Sequence, residues 1–241
     1  MDIKYLGHAS FFLRSKDAKL VTDPFDPEMT GLKFPKVEAD IVTVSHHHHD
    51  HDMISLVQDP LGSKPLVVDM PGEVEKLGMR IFGYQSYHDR KKGAERGENN
   101  LYKITDGEIS VLHCGDLGVV LDNNFVDQIG DVDVLLVPVG GFFTMSADEA
   151  VELVKKIEPY IVIPMHYNHA KLNQKTFGEL TSVDYFLKKI GSQATTPVPR
   201  LTVKKGELGD ETKVVVMEIC CFGCYPYRLI LDSSDNPIFK A

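Results

Sequence analysis

The stretch Ala39-Asp40-Ile41-Val42-Thr43-Val44-Ser45-His46-His47-His48-His49-Asp50-His51 runs an apolar, β-branched segment straight into a dense cluster of imidazoles and a carboxylate. Ile41 to Val44 reads as a buried strand, so the polar run begins at a strand end. Three readings compete for it. An expression tag sits at a terminus, and this run is internal. A His-rich polar loop that binds metal loosely is the plain alternative. The third reading takes His46-x-His48-x-Asp50-His51 as ligands. Period-two spacing puts His46 and His48 on one side of an extended loop, while Asp50 and His51 begin the next turn. Two pairs of ligands would then face two adjacent metals.

The rest of the chain sets the frame. With 241 residues, 43% of them hydrophobic, it can bury one sizeable core. The expectation is a single domain over 1–241, with 220–241 as a C-terminal extension. Met1 to Gly7 enters a strand pattern at once, without the basic and apolar regions of a signal peptide. No apolar run approaches the roughly 18 residues that span a bilayer. Cys220, Cys221 and Cys224 crowd together, a poor disulfide framework for this length. A soluble cytoplasmic protein with reduced thiols and no membrane partner is expected. The net charge of -9 disfavours sequence-independent binding to phosphate backbones, so nucleic acid is not an expected partner.

Short apolar segments bounded by Gly, Pro, Asp or Asn recur as strands should. They are Ile3 to Leu6, Phe11 to Leu13, Leu20 to Thr22, Ile41 to Val44, Leu66 to Val68, Arg80 to Tyr84, Leu101 to Ile104, Ile109 to Leu112, Val132 to Pro138, Tyr160 to Pro164 and Lys213 to Glu218. A helix begins at Ser146, where Ser-x-x-Glu makes a capping box with Glu149, and stops at Pro159. Others are expected over Val183 to Ile190, Asn124 to Ile129 and Gly72 to Leu77. Strands dominate the first half and strand-helix alternation the second, which argues for an α/β sandwich with helices outside.

Further polar residues fall at strand tips, where loops on a rigid scaffold carry chemistry. His88 follows Ile81 to Tyr87, Asp116 follows Ser110 to Gly115, and His166 follows Ile161 to Met165. Singly, each is an ordinary turn residue. Together with the His run they supply the extra imidazoles and the shared carboxylate that a two-metal site needs.

This constellation resembles the metallo-β-lactamase fold superfamily. It is most similar to the branch of small cytoplasmic metal-dependent hydrolases related to L-ascorbate-6-phosphate lactonase and N-acyl-phosphatidylethanolamine phospholipase D. Leu6-Gly7-His8, Thr22-Asp23-Pro24-Phe25, His113-Cys114-Gly115-Asp116, Pro138-Val139-Gly140-Gly141 and Ile163-Pro164-Met165-His166 carry the likeness over residues 1 to roughly 190. It implies a four-layer αββα sandwich with the metals at one sheet edge. It also implies His46, His48 and His88 on a first metal, Asp50, His51 and His166 on a second, and Asp116 bridging; Asp116 and Asp50 are the expected catalytic carboxylates. His113 rivals His88, but strand alternation puts residues 113 and 116 on opposite faces if the strand continues that far, which assigns His113 to a place behind the ligands. His8 and Asp23 are expected behind the ligands, where a carboxylate can orient an imidazole. His47 and His49 stand where the family commonly has small residues and are expected either to face solvent or to sit behind the ligands. The lone Cys221-x-x-Cys224 pair supplies too few ligands for closed zinc, leaving buried thiols or a contact in a homo-oligomer.

Two dications about 3.5 to 4 Å apart share a water, acidify it and polarise a carbonyl or phosphoryl oxygen. Imidazole-rich sites suit zinc, while mixed sites also take Mn2+, Fe2+ or Ni2+. The loop Asp89 to Asn100 is charged and starts at a candidate ligand. It is either merely solvated or uses Arg90 and Arg96 to hold an anion. His169 is a further candidate substrate contact, and Gly140 to Met145 a candidate pocket wall. The expected function is dinuclear, metal-dependent hydrolysis of a small anionic ester, lactone or phosphodiester. A nuclease of the same fold and a non-catalytic metal-binding protein are the alternatives.

Overall fold

The computed structural model describes residues 1–192 and 196–220. Cys221 and Cys224, and with them the expectation for the C-terminal segment, lie outside the described residues. In chain order the first strands are β1 (Asp2–Gly7), β2 (Ser10–Arg14), β3 (Lys19–Thr22), β4 (Val37–Glu38), β5 (Ile41–Thr43), β6 (Val57–Gln58), β7 (Leu66–Val68) and β8 (Gly72–Lys76). There follow β9 (Met79–Tyr87), β10 (Glu98–Thr105), β11 (Ser110–His113), β12 (Val134–Pro138), β13 (Ile161–Met165), β14 (Leu201–Thr202) and β15 (Lys213–Val214). The helices are α1 (Pro27–Thr30), α2 (Asn123–Ile129), α3 (Ala147–Ile157), α4 (Gln174–Phe177) and α5 (Val183–Ile190).

Two mixed sheets result. One runs β14-β1-β2-β3-β5-β7 and the other β15-β13-β12-β11-β10-β9-β8. They pack face to face because side chains alternate along each strand. Phe11, Leu13, Leu20 and Ile41 enter the main core with Ile81, Leu101, Val111 and Leu135, whereas Phe12, Val21 and Val42 turn outward into a smaller cluster. The small parallel pair of β4 and β6 packs through Val37 and Val57 against Phe12, Val21 and Val42 of the first sheet, and the four-residue α1 contacts α4. The second sheet's strand β12 is buried throughout, with α3 packed against it and α5 against α3. Burial on both faces suits its parallel pairing with β11 and β13. These layers form the α/β sandwich expected from the strand pattern. Among the described residues no helix is long and apolar enough to cross a membrane.

One expected helix is a strand. Gly72 to Lys76 forms β8, which pairs antiparallel with β9 around Leu77 and Gly78. Both turn residues have positive φ, 53° and 76°, the geometry of a two-residue hairpin turn that follows strand twist. Helical spacing over so few residues loses to that turn. At the other end Lys213 to Glu218 shortens to β15, and Met217 and Ile219 bridge singly to Val198 and Tyr5.

The C-terminal ends of β5, β9, β11 and β13 place residues 46–51, 88, 116 and 166 on one edge of the sandwich. Several bonds join the sheets there. Asn100 N–H donates to Ser45 O at 2.8 Å, Tyr102 Oη–H to Val44 O at 2.9 Å, and His166 N–H to His8 O at 2.9 Å.

Candidate metal centre

Donor atoms from distant strand ends converge in this edge. One group is His46, His48 and His88; another is His8, Asp50, His51 and His166. In each, one atom per residue lies within 4.8 Å of the others. Asp116 stands between them. Its Oδ2 is 3.2 Å from His88 Nε2 in the first group, and 3.3 and 3.2 Å from His51 and His166 Nε2 in the second. Two ligands on a tetrahedral ion with bonds near 2.0 to 2.1 Å lie about 3.3 Å apart, so these spacings suit groups that share an ion.

Hydrogen bonding supports the same reading. His46 Nε2, His51 Nε2, His166 Nε2 and Asp116 Oδ1 are buried without a hydrogen-bond partner. Leaving such an atom unpaired costs about 1 to 3 kcal/mol, and metal ions held by the two groups would satisfy them. The donor set therefore fits divalent metal. His48 is the exposed member, while His47 and His49 point to solvent and approach only Asp52 and Asp69, no closer than 3.6 Å.

Behind the donors, Asp23 reaches both groups. Ser45 N–H and Oγ–H donate to its two oxygens at 2.8 and 2.5 Å, and His51 Nδ1–H donates to Oδ2 at 2.9 Å. Because the Ser45 hydroxyl proton is spent on Asp23, Ser45 Oγ accepts from His46 Nδ1–H at 2.9 Å. Both imidazoles are thus held with Nε2 free. His8 Nε2–H donates to Asp50 Oδ2 at 3.0 Å, so His8 orients a donor as well as joining the second group.

Electrostatics keeps these roles distinct. Burial raises the Asp116 carboxyl, but His166 and His51 outweigh it and hold the group well below the usual range. The same opposition, with His51 and His8 prevailing, keeps Asp50 ionised. Burial, then the neighbouring His51, lowers His46; burial, then His88, lowers His48. Burial opposes charge on His51, yet Asp116 and Asp50 raise it. Burial and His166 bring His8 down to about 4.

Local backbone reflects the crowding. His8, Asp23 and His166 adopt positive φ, which disfavours L residues by about 1 to 2 kcal/mol each. A Cβ on Gly118 would collide with the His88 carbonyl group, and one on Gly140 with the His166 carbonyl oxygen. Only glycine lets those segments approach so closely.

His113 is outside both groups. Its Nε2–H donates to Ala9 O at 2.7 Å and its Nδ1 accepts from Gly115 N–H at 3.3 Å, so neither nitrogen is spare. The outward placement expected from strand alternation has a backbone cause: β11 ends at His113 and the chain turns before Asp116. Asn99, not singled out from the sequence, braces that turn by accepting from Asp116 N–H at 2.8 Å and donating to Cys114 O at 2.9 Å. Its only signal is a polar pair, Asn99-Asn100, heading an apolar strand.

Beside His88 opens a cleft of about 370 Å³ between residues 89–96 and 141–146. Arg90 and Arg96 both line it. Arg90 is committed elsewhere, to a bidentate pair with Glu149 at 2.6 to 2.9 Å. His169 is not among the lining residues; its Nδ1 accepts from Lys171 N–H at 3.2 Å. The loop is not merely solvated. Asp89, also missed, buries a carboxylate that accepts from the N–H groups of Lys91, Gly93, Glu95 and Arg96. An Asp ahead of a glycine-containing turn is its sequence signal.

The chain is similar to known proteins in sequence and fold. Residues 2–166 match the family model described as a beta-lactamase superfamily domain. A UPF0173 metal-dependent hydrolase from Methanosarcina mazei is 33% identical over 195 residues, covering 70% of this chain and 84% of that one. One from Desulforamulus reducens is 29% identical over 224 residues, covering 81% and 94%. The crystal structure of a candidate Zn-dependent hydrolase of the metallo-beta-lactamase superfamily from Thermotoga maritima aligns with TM-score 0.72 and 37% identity over 90% of this chain and 97% of that chain. The resemblance read from the motifs is borne out, and the chain belongs to the metallo-β-lactamase superfamily, among relatives that bear the name metal-dependent hydrolase.

Proposed function

We propose that this protein is a dinuclear metal-dependent hydrolase of a small anionic ester, lactone or phosphodiester. His46, His48 and His88 hold the first ion, and Asp50, His51 and His166 the second. Asp116 serves both. The observation that carries the reading is the Asp116 Oδ2, within 3.3 Å of one imidazole from the first group and two from the second. Bound together, two dications would acidify a shared water and polarise the oxygen of the scissile group. Zinc suits the imidazole set; Mn2+, Fe2+ or Ni2+ remain candidates for the carboxylate-bearing one.

The chain's own residues then bind, orient and move protons. Asp23 keeps protons on His51 Nδ1 and, through Ser45, on His46 Nδ1. Asp50, aimed by His8 Nε2–H, is the carboxylate placed to take a proton during turnover. Substrate enters beside His88, whose cleft falls in the size range of small-molecule sites.

The test is metal analysis of the purified protein, then a screen of the loaded protein against lactones, thioesters, phosphodiesters and short RNA. About two ions per chain are expected, with turnover of a small ester, lactone or diester. Asp116→Asn should cut that turnover at least about a hundredfold and lower the metal content, with an unchanged far-ultraviolet spectrum. Wild-type turnover in that variant would defeat the proposal. Cleavage of RNA alone would favour a nuclease, and two tightly held ions without turnover would favour a non-catalytic metal protein.

A further inference from the structure

The cleft beside His88 carries three basic side chains, and their partners differ. Arg90 spends its guanidinium on Glu149, and Lys91 Nζ pairs with Glu95 at 2.6 Å. Asp89 and Glu95 are the acidic lining residues. Glu95 is thereby matched, and the Asp89 charge is dispersed over four backbone N–H groups. Arg96 alone among these cations has no carboxylate within ion-pair distance among the described residues. Its guanidinium carbon lies 5.7 Å from the centre of the Phe143 ring, across the cleft.

Both ends of that contact are held. Arg96 N–H is fixed to Asp89 Oδ2 at 2.8 Å, and the loop closes through His88 N–H to Gly97 O at 3.1 Å. Phe143 packs against Phe142 at 4.7 Å and against the buried Phe177 at 6.0 Å. A guanidinium with one face on an aromatic ring keeps its edge donors available. Such an arrangement binds a planar or tetrahedral oxyanion through two N–H groups and loses little side-chain freedom in doing so.

We propose that Arg96 is the specificity residue of this site and reads a non-reacting oxyanion, a carboxylate or phosphate, on a substrate whose apolar portion lies along Phe142 and Phe143. The reacting group sits at the metal edge and the anion in the cleft. Arg90 and Lys91 shape the cleft and do not read charge. This assignment rests on the hydrolase reading, because it takes the cleft beside His88 as the substrate's entrance.

The test separates the two. Calorimetry on the metal-loaded protein measures Kd for phenylphosphonate and for uncharged benzamide. Arg96→Ala should weaken phenylphosphonate tenfold or more while shifting benzamide less than twofold. Arg96→Lys should recover only part of the loss, since an ammonium cannot donate bidentately. Lys92→Ala removes the same charge from the same loop outside the cleft and should leave both values within twofold. Equal weakening by Lys92→Ala, or an unchanged Kd in Arg96→Ala, would overturn the assignment. In parallel, monomethyl glutarate and its neutral dimethyl ester report KM and kcat. Arg96→Ala should raise KM for the monoanion alone, and a matched fall in kcat for both esters would overturn the specificity role. Loss of phenylphosphonate binding in a protein that hydrolyses no screened substrate would uphold Arg96 and defeat the hydrolase reading.

Discussion

Asp23 makes no direct claim on a metal in the proposed ligand set, yet it governs one imidazole in each group. It receives His51 Nδ1–H directly and His46 Nδ1–H through Ser45. Asp23→Asn keeps the size and removes the charge that both bonds address. Metal affinity should fall about 10- to 100-fold, as is usual when a partner behind a ligating histidine is lost. Competition against a chromophoric chelator measures it, and an unaltered affinity would return Asp23 to an ordinary turn residue. Asp23 holds a positive φ of 39° while its carboxylate meets both Ser45 and His51 of the loop after β5. Its place beside the candidate donors was expected from Thr22-Asp23-Pro24-Phe25 through family likeness, and its bonds to Ser45 and His51 put it there. That it serves both groups was not, because Ser45 and His51 reach it only after β3 and β5 pair.

At the scale of elements, α3 links the core to the cleft. Ser146 Oγ accepts from Glu149 N–H while Glu149 Oε2 accepts from Ser146 N–H and from Ser146 Oγ–H, a complete capping box. The same carboxylate holds Arg90 and so ties the loop that follows His88 to the helix that follows the aromatic wall. Ser146→Ala should cost about 1 kcal/mol in urea unfolding. Glu149→Gln should cost less, because the amide oxygen can still accept from Ser146 N–H and the exposed ion pair contributes little alone. A loss in Glu149→Gln equal to that in Ser146→Ala would mean that the Arg90 pair contributes as much as the cap. The capping box was readable from its spacing, as local hydrogen bonding is. Helical spacing misled at Gly72 to Leu77, where a hairpin turn and a long partner strand outweighed so short a pattern.

For the whole molecule, the sandwich edge that gathers the candidate metal donors is also where buried polar atoms lack partners. Several donors there are buried and unpartnered, so bound metal should stabilise the fold through linkage. Removing metal with a chelator should lower the melting temperature by several degrees, reversed on adding zinc; roughly 3 kcal/mol follows from a ligand at a hundred times its Kd. An identical melting curve would show that no metal binds the native state preferentially. The sequence by itself determined the strand pattern and the cluster from His46 to His51, because burial alternates every second residue and those donors are neighbours in the chain. It also marked His88, Asp116 and His166 as polar tips of apolar strands. Only the tertiary structure decided which imidazoles were spare and which cation was unmatched. His113 is satisfied by Ala9, 104 residues away, and Arg90 by Glu149, 59 residues away. A donor's role depends on whether its hydrogen-bonding capacity is already spent, and here the groups that spend it arrive from distant strands and helices.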